Sequence, residues 1–288
     1  MKLFRKELTY ILGSVLFFLS VADVYAQQRN TSVRYHSSRT IPKQTSDEDE
    51  DDLIDPSRPT IANSAEFQKP GILQIEYGYD GNFHSDEFRS QQTAPLTLRF
   101  APFERLLLEL DVDPVIFEKD ETGMSESGVG DTRIGLQVLA LKDTERHPAL
   151  AFAYYAKVPT ASQEKNLGTG RTDHRLVALL SKKFGEMDVD FNVAYLNVGR
   201  EFGGRASGGQ AALAISREFK NNFGVIGEIA GQSEDDVQPK GVFALGALTY
   251  RFNTRLHIDV GARFGLNSEA PRVGIFAGFT VGIGNPFK

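Results

Sequence analysis

Leu256-His257-Ile258-Asp259-Val260-Gly261-Ala262-Arg263-Phe264-Gly265-Leu266 alternates without a break. Leu256, Ile258, Val260, Ala262, Phe264 and Leu266 fall on one side, and His257, Asp259, Gly261 and Arg263 on the other. Successive side chains of an extended chain point to opposite faces, so this stretch is a strand with one apolar and one polar face. Leu106, Leu108, Leu110 and Val112 against Glu109, Asp111 and Asp113 repeat the pattern, as do Val189, Phe191, Val193 and Tyr195 against Asp190 and Asn192. Alternation alone is ambiguous. A soluble sandwich turns the apolar face inward, whereas a barrel in lipid turns it outward.

The connectors separate the two. From Gly71 onward, strand-like segments are joined by short turns such as Ala101–Arg105, Gly185–Met187, Lys220–Asn222 and Asn253–Arg255. These alternate with longer polar, Gly-rich connectors such as Phe117–Gly128, Thr160–Thr172, Gly199–Ser207 and Ser233–Lys240. Tight turns at one end and longer loops at the other are the pattern of an outer-membrane barrel. Aromatic residues gather beside the short turns: Phe100, Phe103, Phe184, Phe219, Phe223, Tyr250 and Phe252. Rings at one level suit the headgroup zone of a bilayer, and closing the sheet removes edges that lipid would leave unpaired. The reading is all-β: a single antiparallel transmembrane β-barrel of about twelve strands over residues 70–288, an even count as in bacterial single-chain barrels.

Upstream of the barrel, Lys2, Arg5 and Lys6 precede an apolar run and Val24-Tyr25-Ala26, which reads as a cleaved signal peptide over residues 1–26. Residues 27–69 are polar, carry the acidic block Asp47–Asp52, and are interrupted by Pro42, Pro56 and Pro59. Such a composition buries too little apolar surface to offset its ordering entropy, which favours a disordered periplasmic tail. The competing reading folds the acidic block, or Arg58–Lys69, into the barrel as a plug. An even strand count puts both termini on the periplasmic side.

The chain has no cysteine, so no disulfide staples it. A formal net charge of -6, with basic residues spread among acidic ones, excludes a nucleic-acid binder by charge. Gly128-Val129-Gly130-Asp131 lacks the Lys-Ser/Thr of a phosphate loop, and the acidic block lacks calcium-loop spacing, so no cofactor and no metal are expected. The histidines, His174 and His257 among them, have no serine in a nucleophile-like setting, and no enzyme activity is assigned.

With the apolar faces toward lipid, the opposite faces line the lumen. The candidate lumen and selectivity residues are Glu76, Glu109, Asp111, Asp113, Arg133, Asp190, Glu228, Asp259 and Arg263, joined by Arg99, Arg175 and Arg272. Charged rings of this kind select solutes, and the same residues stiffen a narrow barrel as a salt-bridge network. Two pairs are expected to set the lumen's field: Asp259 with Arg263 on one strand, and Asp113 with Arg133 across a hairpin.

Three segments carry a resemblance. They are Arg58-Pro59-Thr60 through Gln74–Tyr79, Gly128–Leu136, and Ala156–Thr160 followed by Gly168–Asp173. Together they resemble the outer-membrane family of the MetA pathway of phenol degradation, from about Pro59 to the C-terminus. The resemblance implies an outer-membrane barrel that moves small hydrophobic or aromatic compounds. The expected partners are outer-membrane lipid, a small-molecule solute and the barrel-insertion machinery, to which Phe287 offers an aromatic near the C-terminus. The alternative is a barrel that transports nothing and binds a partner or reinforces the envelope.

Overall fold

The computed structural model describes residues 53–86, 88–200, 202–234 and 240–284. The expected signal peptide, the acidic block and Phe287 lie outside these residues. Strand segments follow in the order β1 (Leu73–Phe83), β2 (Phe88–Thr93), β3 (Leu96–Phe103), β4 (Leu106–Val112) and β5 (Ile116–Asp120). Then come β6 (Ser125–Gly128), β7 (Thr132–Leu141), β8 (Ala149–Val158), β9 (Asp173–Phe184) and β10 (Met187–Gly199). The last are β11 (Arg205–Glu218), β12 (Phe223–Gln232), β13 (Gly241–Asn253), β14 (Leu256–Gly265) and β15 (Val273–Ile283).

These segments make a closed antiparallel barrel of 12 strands, because three of the barrel strands are each broken once. β2 and β3 form one, β4 and β5 another, and β6 and β7 a third. Pro95 and Pro114 sit in the first two breaks, where a missing N–H interrupts the ladder. The breaks are neighbours in the wall: the Ala94 N–H bonds the Val115 carbonyl at 3.0 Å, and the Gly130 N–H bonds the Asp113 carbonyl at 2.8 Å. The expected loop Phe117–Gly128 is therefore mostly a strand pair, with β5 and β6 carrying the wall beyond the breaks. The ring closes where β1 pairs with β15 from Leu73↔Ile283 to Phe83↔Val273.

Connections at one end are short, as at Gly185-Glu186, where Gly185 takes a φ of +63° that favours glycine. The turn between β7 and β8 is pinned by Lys182, whose ammonium hydrogen-bonds Asp143 at 2.8 Å and holds that carboxyl below the usual carboxylate range. The longest connection at the opposite end runs from Pro159 to Thr172.

The faces are those of a protein in lipid. Val260, Phe264, Leu176 and Phe152 are each more than half exposed on the outer wall. Gln74, Glu76, Arg99 and Gln137 are at most 2% exposed on the inner one. Phe103, Phe184, Phe219, Phe223 and Phe252 are exposed at the short-turn end. The Tyr250 ring packs 4.7 Å from Phe223 and 4.8 Å from Phe252, completing the aromatic band expected there. An arginine at Val260, midway along β14 on the outer face, will cost about 2–4 kcal/mol of folding stability in bilayers. Equilibrium denaturation from lipid vesicles checks this, and an unchanged midpoint would mean that this face does not meet hydrocarbon.

Candidate functional site

The inside of the barrel is occupied by the chain's own segment, Leu53 to Pro70. It starts at the short-turn end, where the Leu53 N–H bonds the Thr254 carbonyl at 3.1 Å. It returns to that end, with the Lys69 N–H on the Leu53 carbonyl at 3.2 Å and the Gly71 N–H on the Ala101 carbonyl at 2.8 Å. Between these ends it hydrogen-bonds inward-facing side chains around the wall. Glu76 on β1 accepts the backbone N–H groups of Ser57 (2.9 Å) and Arg58 (3.1 Å) and the Ser57 hydroxyl (2.8 Å). Glu228 on β12 accepts from Ile61 (2.8 Å) and Ala62 (2.7 Å), and Ser181 on β9 accepts from Ala65 (2.8 Å). Gln137 on β7 donates to the Ala65 carbonyl at 3.0 Å. A disordered tail reaching to Lys69 does not describe Leu53–Lys69. The polar composition that reads as disorder in water finds its partners on a polar inner wall instead.

Arg58 fixes the segment most specifically. Its guanidinium meets both Asp259 oxygens at 3.2 Å, a bidentate pair between side chains that are 13% and 5% exposed. It lies over Gly78 and Gly278, which face each other across β1 and β15. A Cβ on either glycine would stand 2.5–2.7 Å from guanidinium atoms. The two glycines thus form a slot cut to the arginine. Apolar residues of the segment rest on apolar patches of the lumen. Ile61 and Ala62 pack with Phe243, Leu245, Phe276 and alanines of β11 and β12, and Ala65 and Phe67 with Leu139, Leu179 and the alanines of β8.

Of the sequence-assigned lumen residues, Glu76, Arg99, Glu109, Arg175, Glu228, Asp259 and Arg263 are buried on the inner wall, whereas Arg272 is exposed just before β15 begins. Asp259 pairs with Arg58, not with Arg263. Four residues along one strand is roughly 13 Å, too far for contact. Arg263 instead reaches Asp80 at 2.6 Å, its guanidinium 5.3 Å from the Phe276 ring and 5.8 Å from the Phe243 ring. Arg133 pairs with Asp111 at 2.7 Å because the register sets those two opposite each other, with Asp113 two residues farther along. Arg99 bridges Glu109 (3.2 Å) and Glu76 (3.6 Å) and donates to the Asp55 carbonyl (2.6 Å), which ties the wall network to the segment. Asp190 accepts from the Ser181 hydroxyl at 2.5 Å. Of the histidines, His174 meets the Tyr154 hydroxyl at 2.7 Å, and His257 lines the cavity described below.

A second cluster, which residue patterns did not single out as a site, lies at the long-loop rim. Lys157 is 5% exposed, with its ammonium 2.5 Å from Asp173 and 3.1 Å from Asp131. Asp131 also accepts the N–H groups of Thr160 (3.0 Å) and Ala161 (2.9 Å), and Asp173 that of Gly199 (2.6 Å). Gly128–Asp131, Lys157–Thr160 and Thr172-Asp173 therefore converge on one lock that holds the base of the longest loop. Their separation along the chain hid it; their position at strand ends was the available signal.

At the short-turn end, the inner segment and the wall enclose a cavity of about 520 Å³. Ile54, Asp55, Ala62 and Phe67 contribute from the segment, and Ser181, Asp190, Ile226 and Thr280 from the wall.

Residues 56–283 match the family described as "Putative MetA-pathway of phenol degradation". The chain belongs to this family. The match begins within the inner segment and runs through the barrel. Among solved structures, the COG4313 outer membrane channel from Pseudomonas putida F1 superposes with a TM-score of 0.59 at 14% identity, over 76% of this chain and 98% of that one. The KdgM porin in complex with disordered oligogalacturonate gives 0.47 at 9% identity, over 72% and 98%. The CymD monoaromatic hydrocarbon channel gives 0.39 at 10%, over 75% and 89%. No curated protein matches the chain. The family and the fold agree on a bacterial outer-membrane barrel.

Proposed function

We propose that this family member is a passive outer-membrane channel for small, uncharged aromatic or hydrophobic compounds, held closed by Leu53–Lys69. The observation that carries the reading is the reversal of faces, with an apolar exterior around a closed ring whose polar interior holds a latched segment. The solute class is supported by the family's description and by the apolar patches that Phe243, Leu245, Phe276, Leu139 and Leu179 form inside the lumen. Diffusion along the lumen needs no cofactor, and no catalytic step is assigned. The short turns, Leu53 and Ile283 share one end, and we place that end in the periplasm, as the asymmetry of outer-membrane barrels favours. Glu109, Asp111 and Arg133 then set the field of the pathway, while Glu76, Glu228 and Asp259 hold the segment in place.

Single-channel recording of Gln27–Lys288 in planar bilayers tests this. The native chain should show rare, brief openings, and Arg58→Ala long ones at higher open probability. Silent traces from both chains, each properly inserted, would sink the channel reading.

A further inference from the structure

The cavity between inner segment and wall has a chemistry that the channel reading does not use. At about 520 Å³ it is within the range that small-molecule sites occupy. Its lining is amphipathic: Ile54, Ala62, Phe67 and Ile226 give it an apolar side, and Asp55, Asp190 and Thr280 a polar one.

The charges in it are unbalanced. Each cation along its lining already holds a carboxylate: Arg58 holds Asp259, Lys182 holds Asp143, Lys183 holds Asp188 and Arg217 holds Glu186. Among the described residues, no basic side chain lies within ion-pair distance of Asp55, Glu66 or Asp190, and Asp190 has the Ser181 hydroxyl for its partner. Thr280 makes a separate point. It is 1% exposed, lies in the inward-facing series of β15 and lines the cavity, yet its hydroxyl has no hydrogen-bond partner among the described residues. A hydroxyl turned into the cavity with no protein partner is free to bond an occupant there.

We infer that this cavity binds a small organic cation, a primary ammonium on a compact apolar body. The ammonium is placed against Asp190 and Asp55, and the body against Phe67 and Ile226. A carboxylate in a partly dry cavity favours such a cation over a neutral isostere of the same shape, and rejects an anion. Because the segment supplies one side of the cavity and the wall the other, an occupant joins the two and stabilises the closed arrangement. The ligand reaches it from the short-turn end and acts as a closing effector.

The test is calorimetric titration of the full mature chain in detergent with benzylammonium, benzyl alcohol and benzoate, which share a ring and differ in charge. Benzylammonium should bind at least about tenfold tighter than benzyl alcohol, with no binding of benzoate. Asp190→Asn should remove that preference, and Thr280→Val should weaken benzylammonium several-fold. Thermal unfolding of each variant shows that it is folded, and in the native chain benzylammonium should raise the melting temperature. Equal binding of the alcohol, an unchanged affinity in folded Asp190→Asn, or no binding at millimolar benzylammonium overturns the inference. Binding is read without current. A silent barrel that binds benzylammonium removes the channel reading alone, and a conducting barrel that does not bind it removes this site alone.

Discussion

Gly278→Ala, a change in the wall alone, will unseat the inner segment. The new Cβ would stand 2.5 Å from Arg58 Nε and 2.6 Å from its Cζ, closer than atoms tolerate. At Gly278 the three nearest atoms all belong to the Arg58 guanidinium, so the arginine moves rather than the wall. The same change at Gly78 is less clean, because its Cβ also meets the Ala277 carbonyl oxygen at 2.5 Å. Expelling Arg58 leaves Asp259 buried without its cation, and breaking such a pair costs about 3 kcal/mol. The unlatched population should then rise by about a hundredfold, at 1.4 kcal/mol per factor of ten. Proteolysis reports the equilibrium population of an opened segment when reclosing is fast. Chymotrypsin should therefore cut after Phe67, inside the segment, far sooner in Gly278→Ala than in the native chain. Equal cutting rates would mean that the glycine slot does not hold the segment.

Lys157→Met should release the rim. The substitution keeps the length of the side chain and removes its charge, leaving Asp131 and Asp173 facing one another where one ammonium had bridged both. Removing one partner of a buried ionic group costs about 3–5 kcal/mol. Asp131 would turn toward water and give up the N–H groups of Thr160 and Ala161, so the loop from Pro159 to Thr172 would lose its anchor. Trypsin should then nick at Lys165 and Arg171 while the barrel stays folded, and the melting temperature should fall. Adding Asp131→Asn and Asp173→Asn to Lys157→Met should recover part of the stability but not the anchored loop. If Lys157→Met is nicked no faster than the native chain, the cluster does not restrain the loop.

Period two made the wall legible. Each step along Leu256–Leu266 reverses the side chain, so once the apolar face is assigned to lipid the inward set is fixed, and Asp259 and Arg263 stand where alternation put them. Pairing was less legible, because it depends on register. Arg133 is expected near Asp113 and lies diagonal to it, but its ion pair is with Asp111, one pleat away, since nothing local says which residue of β4 will face it. Asp259 shows a deeper limit. Its partner Arg58 lies 201 residues away in a segment with no periodicity at all. Composition marks Leu53–Lys69 as too polar to fold because composition weighs a segment against water. The environment that matters is a lumen rich in unsatisfied donors and acceptors, and it exists only after the rest of the chain has folded. The rim lock is half visible in sequence: its three pieces carry the family resemblance, while their meeting point needs β7, β8 and β9 side by side.

The glycine slot also bears on the order of assembly. Gly78 belongs to the first strand and Gly278 to the last, so the seat for Arg58 straddles the seam where the ring is sealed. An open sheet has only half of it. The inner segment can acquire its tightest attachment only after the final strand has joined the first, and a seated Arg58 is therefore a record of completed closure. A chain stalled before that step would present the segment loose and unguarded, open to the proteases that clear unfinished proteins.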